Sequence, residues 1–299
     1  MRYTVGVDVG GTKISAGLVH GFSAPKIIKI PTEANKGRAR IISNIVKAVR
    51  VFDSPKIQSI GIALAGEINH ENGTWVSSPN IRSVKNIPLS KILKKELKKD
   101  IYIENDSNCF TIAEAECGAG KNSDYVVGLT LGTGVGSGFV IKKRIYRGAN
   151  GRATEFGHMT IVENGYPCGC GQNGHLETYA SGTGMIQLYT QYTGKEKDTF
   201  EIEKLALQKD GVASRVFDIM SESLAIGIAN IINILNPDIV VLGGGLIRVK
   251  TYWKPAVTRA KKLVAYPILS KTKIAPTKLN EKAHILGAAI IARNPKSFL

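Results

Sequence analysis

The sequence predicts an α/β protein of two domains, each opened by a strand, a glycine-rich turn and a returning strand, with a central cleft between them. Three observations carry this expectation. Residues 3–11 (Tyr-Thr-Val-Gly-Val-Asp-Val-Gly-Gly) are echoed in residues 125–133 (Tyr-Val-Val-Gly-Leu-Thr-Leu-Gly-Thr), with Tyr, Val, Gly, two apolar positions and a final Gly in register. Each copy precedes a second β-rich run, 14–19 and 138–141, so two hairpins stand in matching order and point to duplication. Beyond each hairpin, apolar runs of strand length alternate with helical apolar spacing, as in α/β units.

Residues 41–52 have helical spacing, and 57–64 and 101–104 read as strands. Residues 91–99 (KILKKELKK) read as an amphipathic helix with Ile92, Leu93 and Leu97 inward and the lysines solvated. A helix is expected over 107–118, with Asp106 placed to cap it. Residues 214–235 form a long, largely apolar helix stopped by Asn236-Pro237, and 238–242 is a buried strand ending in Gly243-Gly244-Gly245. The last helix covers 283–292. The division falls near 105–120: a small α/β domain of residues 1–110, joined by the C-terminal helix 283–299, and a large α/β domain of 111–282.

A chain of 299 residues suits one large or two medium domains. With 43% hydrophobic and 21% charged residues it has the balance of a soluble globular protein. No apolar run is expected to span a bilayer, and the first residues lack the basic-then-apolar layout of a signal peptide, so a cytoplasmic protein without a membrane partner is expected. Four cysteines make no disulfide framework, and Cys109 and Cys117 read as core thiols. The net charge of +16 would attract polyanions, but no aromatic RNA-binding motif accompanies it and no nucleic-acid partner is expected.

The first turn, Asp8-Val9-Gly10-Gly11-Thr12-Lys13, offers close backbone approach, a hydroxyl and a cation to a phosphate. Asp8 would repel a bare phosphate and makes sense beside a Mg²⁺ that keeps its waters. The spacing is not that of a Walker loop, because Thr12 stands where that motif needs lysine. The second turn, Gly132-Thr133-Gly134-Val135-Gly136-Ser137-Gly138, puts glycine at alternate positions of a hairpin, which weakens a strand unless something must approach the backbone. Gly243-Gly244-Gly245 gives a third approach, suited to adenosine, or simply a strand-to-helix turn. Gly169-Cys170-Gly171-Gln172-Asn173-Gly174 fits a dinucleotide fingerprint by spacing alone. It has no strand before it and is set aside.

Glu104-Asn105-Asp106-Ser107-Asn108 lies where a strand gives way to a helix, the edge at which α/β folds bind ligands. Asp106 either caps the helix or accepts the proton of an attacking hydroxyl. Glu155, His158, Glu177 and Asn80 are side chains of the kind that read paired sugar hydroxyls, or else ordinary surface groups. Cys168, Cys170, His175 and His158 offer two thiols and two imidazoles, a set that could hold zinc tetrahedrally.

These segments together resemble the ROK family (repressor, open reading frame, kinase). The resemblance rests on Asp8-x-Gly10-Gly11-Thr12-Lys13, Glu104-Asn105-Asp106-x-Asn108, Leu131-Gly132-Thr133-Gly134-Val135-Gly136, Glu155-x-Gly157-His158, Cys168-x-Cys170-Gly171-x-x-Gly174-His175-x-Glu177 and Gly243-Gly244-Gly245, and spans nearly the whole chain. It implies a duplicated actin-like ATPase fold, ribonuclease H-like and of hexokinase type. It implies that ATP and Mg²⁺ are used to phosphorylate a hexose at its 6-hydroxyl: glucose, and also mannose, glucosamine or N-acetylglucosamine. It implies that Asp106 is the base, that Asn80, Asn105, Asp106, Glu155, His158 and Glu177 hold the sugar, and that the protein is a homodimer. The family commonly has a third cysteine where this chain has His175, so a structural Zn²⁺ here would be held by Cys₂His₂. The alternatives are a non-catalytic sugar sensor, which would lack Asp106 or Asp8, and a sugar-responsive repressor, which would carry a helix-turn-helix segment ahead of Asp8.

Overall fold

The computed structural model describes residues 3–52 and 54–295. These form two compact units, one from the described residues of Met1–Asp124, Gly138–Ala153 and Lys278–Leu299, the other from Tyr125–Ser137 and Thr154–Thr277.

The first half of the chain runs β1 (Tyr3–Val9), β2 (Lys13–His20), β3 (Ser23–Pro31), α1 (Arg38–Arg50), β4 (Ile57–Leu64), β5 (Glu67–Asn69), β6 (Thr74–Ser77), β7 (Lys85–Ile87), α2 (Leu89–Leu97), β8 (Asp100–Asn105) and α3 (Asp106–Cys117). The second half runs β9 (Tyr125–Leu131), β10 (Val135–Ile141), β11 (Arg144–Ile145), α4 (Leu176–Ala180), α5 (Gly182–Thr193), α6 (Thr199–Leu207), α7 (Gly211–Leu235), β12 (Ile239–Gly243), α8 (Lys250–Leu263), β13 (Lys273–Pro276) and α9 (Lys282–Arg293).

The first large sheet has the order β3-β2-β1-β4-β8 and the second β11-β10-β9-β12-β13. Both follow one plan: an antiparallel meander of three strands, then two strands that join beside the first by crossovers. In the first sheet β1 is antiparallel to β2 and parallel to β4, which is parallel to β8; in the second, β12 is parallel to both β9 and β13. The echoed peptides are therefore β1 and β9, the central strands of a duplicated actin-like fold. Their alternating valines and leucines are buried because helices cover parallel sheets. A small antiparallel sheet, β5-β6-β7, is inserted in the first unit.

Several boundaries depart from the sequence reading. The second glycine segment is not one loop over 132–138: the turn is Gly132–Gly134 and β10 begins at Val135. Gly138 is glycine for packing, since a Cβ there would come within 2.9 Å of the Ser107 carbonyl on α3. Helix α3 begins at Asp106, and its N-cap is Asn105. Helix α7 also corrects the expectation that no run could span a bilayer. Its length and hydropathy of 1.3 pass that test, yet 56% of the apolar window is buried within the fold. There Gly227 lies so close to Leu176 that a Cβ would crowd its side chain.

Helix α9 sits on a row of glycines. Gly17, Gly6 and Gly61 are register partners across β2, β1 and β4. A Cβ on Gly6 would overlap the Ile285 carbonyl, and one on Gly61 the Ala288 carbonyl. On its other side Gly287 lies against the Cys109 carbonyl of α3. The bare row lets α9 approach the sheet at backbone distance and carries α3 with it.

Candidate active site

Because β1, β4 and β8 are parallel, their carboxyl ends share one edge. Asp8 is level with Ala63, which is level with Glu104. Asp106 follows two residues later as the first residue of α3. Asn105 caps that helix, its Oδ1 accepting from the Ser107 N–H at 2.9 Å and the Asn108 N–H at 3.2 Å. Its amide donates to the Gly66 carbonyl at 3.3 Å. The capping duty expected of Asp106 is thus taken by its neighbour. Asp106 Oδ1 accepts from the Ser107 N–H at 2.8 Å and lies 3.3 Å from the Ser107 hydroxyl.

Asp106 feels the charge of Asp8. Burial pushes both carboxyls above the ordinary aspartate range, and the negative charge of Asp8 pushes Asp106 further. The charge of His284, from the glycine-seated α9, partly offsets this at both, and at Asp8 Lys13 adds to the offset while Glu281 opposes it. The His284 ring lies 5.9 Å from that of Phe110, one helical turn after Asp106. A pair of partly buried carboxylates short of positive charge is the electrostatic setting a divalent cation relieves, so the site fits Mg²⁺ beside Asp8.

Around this pair the first turn closes by a Gly10 N–H bond to the Lys13 carbonyl at 3.0 Å. Thr12 and Lys13 are exposed, and Lys13 pairs loosely with Glu281 at 3.9 Å. Gly11 abuts Asn80, whose Cβ would be 3.1 Å from a Cβ on Gly11. One unit thus holds Asp8, Gly10, Gly11, Thr12, Lys13, Asn80, Asn105 and Asp106.

Sequence reasoning missed what lies beneath them. The Glu104 carboxylate, 1% exposed, accepts at Oε1 from His70 (2.9 Å), the Asn105 N–H (2.8 Å) and Asn108 (3.0 Å). At Oε2 it accepts from Arg147 Nε (3.0 Å) and Nη2 (2.6 Å). Burial opposes ionisation, but the His70 hydrogen bond and the Arg147 guanidinium outweigh it and hold the carboxyl at about 2. Its place in Glu104-Asn105-Asp106 was the only sequence signal. His284 left none beyond its position in an apolar helix.

The second unit gathers the remaining candidates. The N-terminus of α5 donates to the second glycine turn, from Gly182 to the Gly132 carbonyl at 2.8 Å and from Thr183 to the Thr133 carbonyl at 3.1 Å. Glu177 Oε2 accepts from the Val135 N–H at 2.9 Å and occupies the space a Cβ on Gly134 would need. Glu177 therefore braces the turn. Gly132 borders open space and a Cβ on Gly245 would meet only Arg248 Nη1, at 3.7 Å, whereas Gly244, at φ +85°, lies against the Leu131 carbonyl and has a structural reason to be glycine. Glu155 is exposed, and the Ser137 hydroxyl holds its segment by bonding the Thr154 carbonyl and accepting from the Phe156 N–H.

His158, Cys168, Cys170 and His175 converge, their ligand atoms all within 4.8 Å of one another. Cys168 Sγ is 3.7 Å from His158 Nδ1, and Cys170 Sγ is 3.3 Å from His175 Nδ1. Tetrahedral zinc, with Zn–S about 2.3 Å and Zn–N about 2.0 Å, needs ligand separations of roughly 3.3–3.8 Å, so a small contraction suffices and the set fits the ion. Burial and the neighbouring His158 lower the His175 pKa and favour the neutral ring a metal requires. Binding through Nδ1 leaves the other nitrogen of His158 for a second partner.

The model of the ROK family matches residues 4–295. The chain is 33% identical over 308 residues to a glucokinase of Thermotoga maritima, covering 97% of this chain and 96% of that protein. It is 33% identical over 256 residues to an N-acetyl-D-glucosamine kinase of Histophilus somni, covering 81% and 83%. Its structure resembles a ROK family glucokinase of Streptomyces griseus solved with glucose and AMPPNP, with a TM-score of 0.85, 28% identity and coverage of 98% and 99%.

The raised carboxyls make a stability prediction of definite sign. A carboxyl whose folded pKa is raised costs stability when ionised, at neutral pH, and the cost fades as falling pH protonates it. Asp106→Asn should therefore stabilise the protein at pH 7 by about 1 kcal/mol, or ~2 °C in melting temperature. The gain over wild type should shrink as the pH is lowered. Calorimetry of both proteins across pH checks this, and a lower melting temperature for the variant at pH 7 contradicts it.

Proposed function

The chain belongs to the ROK family, and on that premise we propose that it is an ATP-dependent hexokinase of the glucokinase type, transferring the γ-phosphoryl group of ATP to the 6-hydroxyl of a hexose. The observation that carries this reading is the meeting of Asp8 and Asp106 at one edge of the first sheet, beside the Gly10–Gly11 turn and Lys13.

Each residue has a role consistent with its surroundings. Phosphoryl transfer demands positioning and charge neutralisation more than covalent help. Asp106 orients the attacking hydroxyl and takes its proton, and its raised pKa makes it a better acceptor than an ordinary aspartate. Asp8 would hold Mg²⁺ through water, and the ion, when bound, would supply the charge that neutralises the phosphates. Lys13, Thr12 and the N–H groups of Gly10 and Gly11 bind ATP phosphate in the first unit, and Gly132, Thr133 and Gly134 are ATP-binding residues of the second. Gly243, Gly244 and Gly245 border the adenosine. Asn80 and Asn105 hold sugar hydroxyls, as do Glu155, His158 and Glu177. Similarity to both a glucokinase and an N-acetyl-D-glucosamine kinase favours a hexose site of broad tolerance, taking glucose and also mannose, glucosamine and N-acetylglucosamine. The working form is a homodimer.

Zinc in the Cys₂His₂ set has a structural role. Bound there, it would tie the Cys168–Cys170 loop to His158 and to His175, which caps the helix carrying Glu177, and so would orient two of the sugar ligands.

ADP release from Mg-ATP with a panel of hexoses tests the activity. Turnover with glucose or an N-acetylhexosamine is expected, falling about 10²–10⁴-fold in Asp106→Ala. Sugar binding without turnover on any hexose would overturn the kinase reading. Metal analysis of the purified protein should find about one zinc per chain, lost in Cys168→Ser/Cys170→Ser, and cobalt substitution should give a thiolate-to-cobalt absorption band. Metal-free protein in zinc-supplemented buffer would refute the zinc assignment.

A further inference from the structure

The Glu104 cluster does more than satisfy a buried charge. Three separate backbone segments of one unit converge on it. Glu104 itself is the penultimate residue of β8. His70 lies in the turn that joins β5 to β6, and Arg147 follows β11. The Arg147 segment is fastened twice more to the β5–β6 hairpin: Arg152 pairs with Glu67, and Gly151 lies beside His70, whose Nδ1 would be 3.2 Å from a Cβ there. The Ala153 N–H donates to the Arg147 carbonyl at 2.9 Å, closing the loop that presents the guanidinium.

On the other side, the same carboxylate grips the junction that carries Asp106. Its Oε1 takes the Asn105 N–H and the Asn108 side-chain amide, at 2.8 and 3.0 Å. Those residues flank Asp106 within the first turn of α3. The two Arg147 bonds form a fork on Oε2, a geometry that fixes direction as well as distance. A carboxylate gripped from both sides leaves the strand-to-helix junction little freedom.

We propose that Glu104 is a positioning residue for phosphoryl transfer: clamped by Arg147 and His70, it holds the Asn105–Asn108 turn so that Asp106 meets the sugar hydroxyl at the correct distance. The inference rests on the kinase reading, in which Asp106 is the base. Glu104 touches no substrate in this account; it acts through Asp106. Displacing a reacting group by about 1 Å costs on the order of 10²-fold in rate, so loosening the junction lowers kcat more than it raises the sugar KM.

A double-mutant cycle separates this from a general structural role. Wild type, Glu104→Gln, Asp106→Asn and the double variant are compared for kcat and KM with the best hexose, using single-turnover assays for the slow variants, alongside Mg-ADP affinity and melting temperature. Glu104→Gln alone should lose roughly 10–100-fold in kcat with KM and Mg-ADP affinity within a few-fold of wild type. In the Asp106→Asn background the same change should cost less than about 2-fold, because the group it positions is gone. Equal losses in both backgrounds, or a loss carried by KM or Mg-ADP affinity, overturn the proposal. If Glu104→Gln does not fold, Arg147→Lys keeps the charge but removes the fork, and is read in both backgrounds by the same criterion. An inactive wild type would instead defeat the kinase reading, and is told apart by the first arm of the cycle.

Discussion

Backbone-distance contact between α9 and a row of glycines is the constraint on which the site depends. Gly17, Gly6 and Gly61 stand side by side across three strands, and side chains at the latter two would collide with carbonyls of α9. The helix is therefore seated on the sheet without intervening side chains, and Gly287 seats it equally closely on α3. This one packing arrangement sets the end of β1, the start of α3 and His284 in a fixed relation. Asp8, Asp106 and the imidazole belong to three segments far apart in sequence, and meet because these glycines leave no other place for α9. Protein interiors tolerate little added volume at such contacts.

The acidic groups at this edge show how surroundings divide roles among chemically similar side chains. Glu104 is more deeply buried than Asp106, yet its carboxyl is held near 2 because His70, Arg147, Asn105 and Asn108 all donate to it. It is a permanent anion, useful as an anchor and poor as a base. Asp8 and Asp106 lie with fewer donors, Asp106 also in the field of Asp8, and burial pushes both up. Their unrelieved charge is what a metal ion and a polarised hydroxyl would answer. Opposite pKa displacements at neighbouring carboxyls commonly mark a division between scaffold and chemistry.

Much of this was legible in the residues. The echo of 3–11 in 125–133 pointed to duplication, and the two sheets repeat the same strand order around β1 and β9. Asp8, Asp106 and the Cys168–His175 set stood out because each lies in a short segment with its own chemical logic. What stayed hidden depends on long-range contact. Glu104, His70 and Arg147 meet across wide sequence separations, and none belongs to a local pattern naming the others. Strand β3, with Pro25, Pro31 and its lysines, is an edge whose exposed polar residues blur the alternation that marks a strand. The cap of α3 was misplaced by one residue because Asn105 and Asp106 are equally good capping types, and only the fold shows which side chain turns back onto the helix.

The most direct test of the central claim, that Asp8 and Asp106 form an under-neutralised pair awaiting a cation, is carboxyl-carbon NMR titration of the two side chains with and without Mg-AMPPNP. Without nucleotide, both should titrate above the ordinary aspartate range, and with Mg-AMPPNP Asp8 should fall sharply as the metal supplies the missing charge. Two carboxyls titrating near 4 and indifferent to the metal nucleotide would contradict the account.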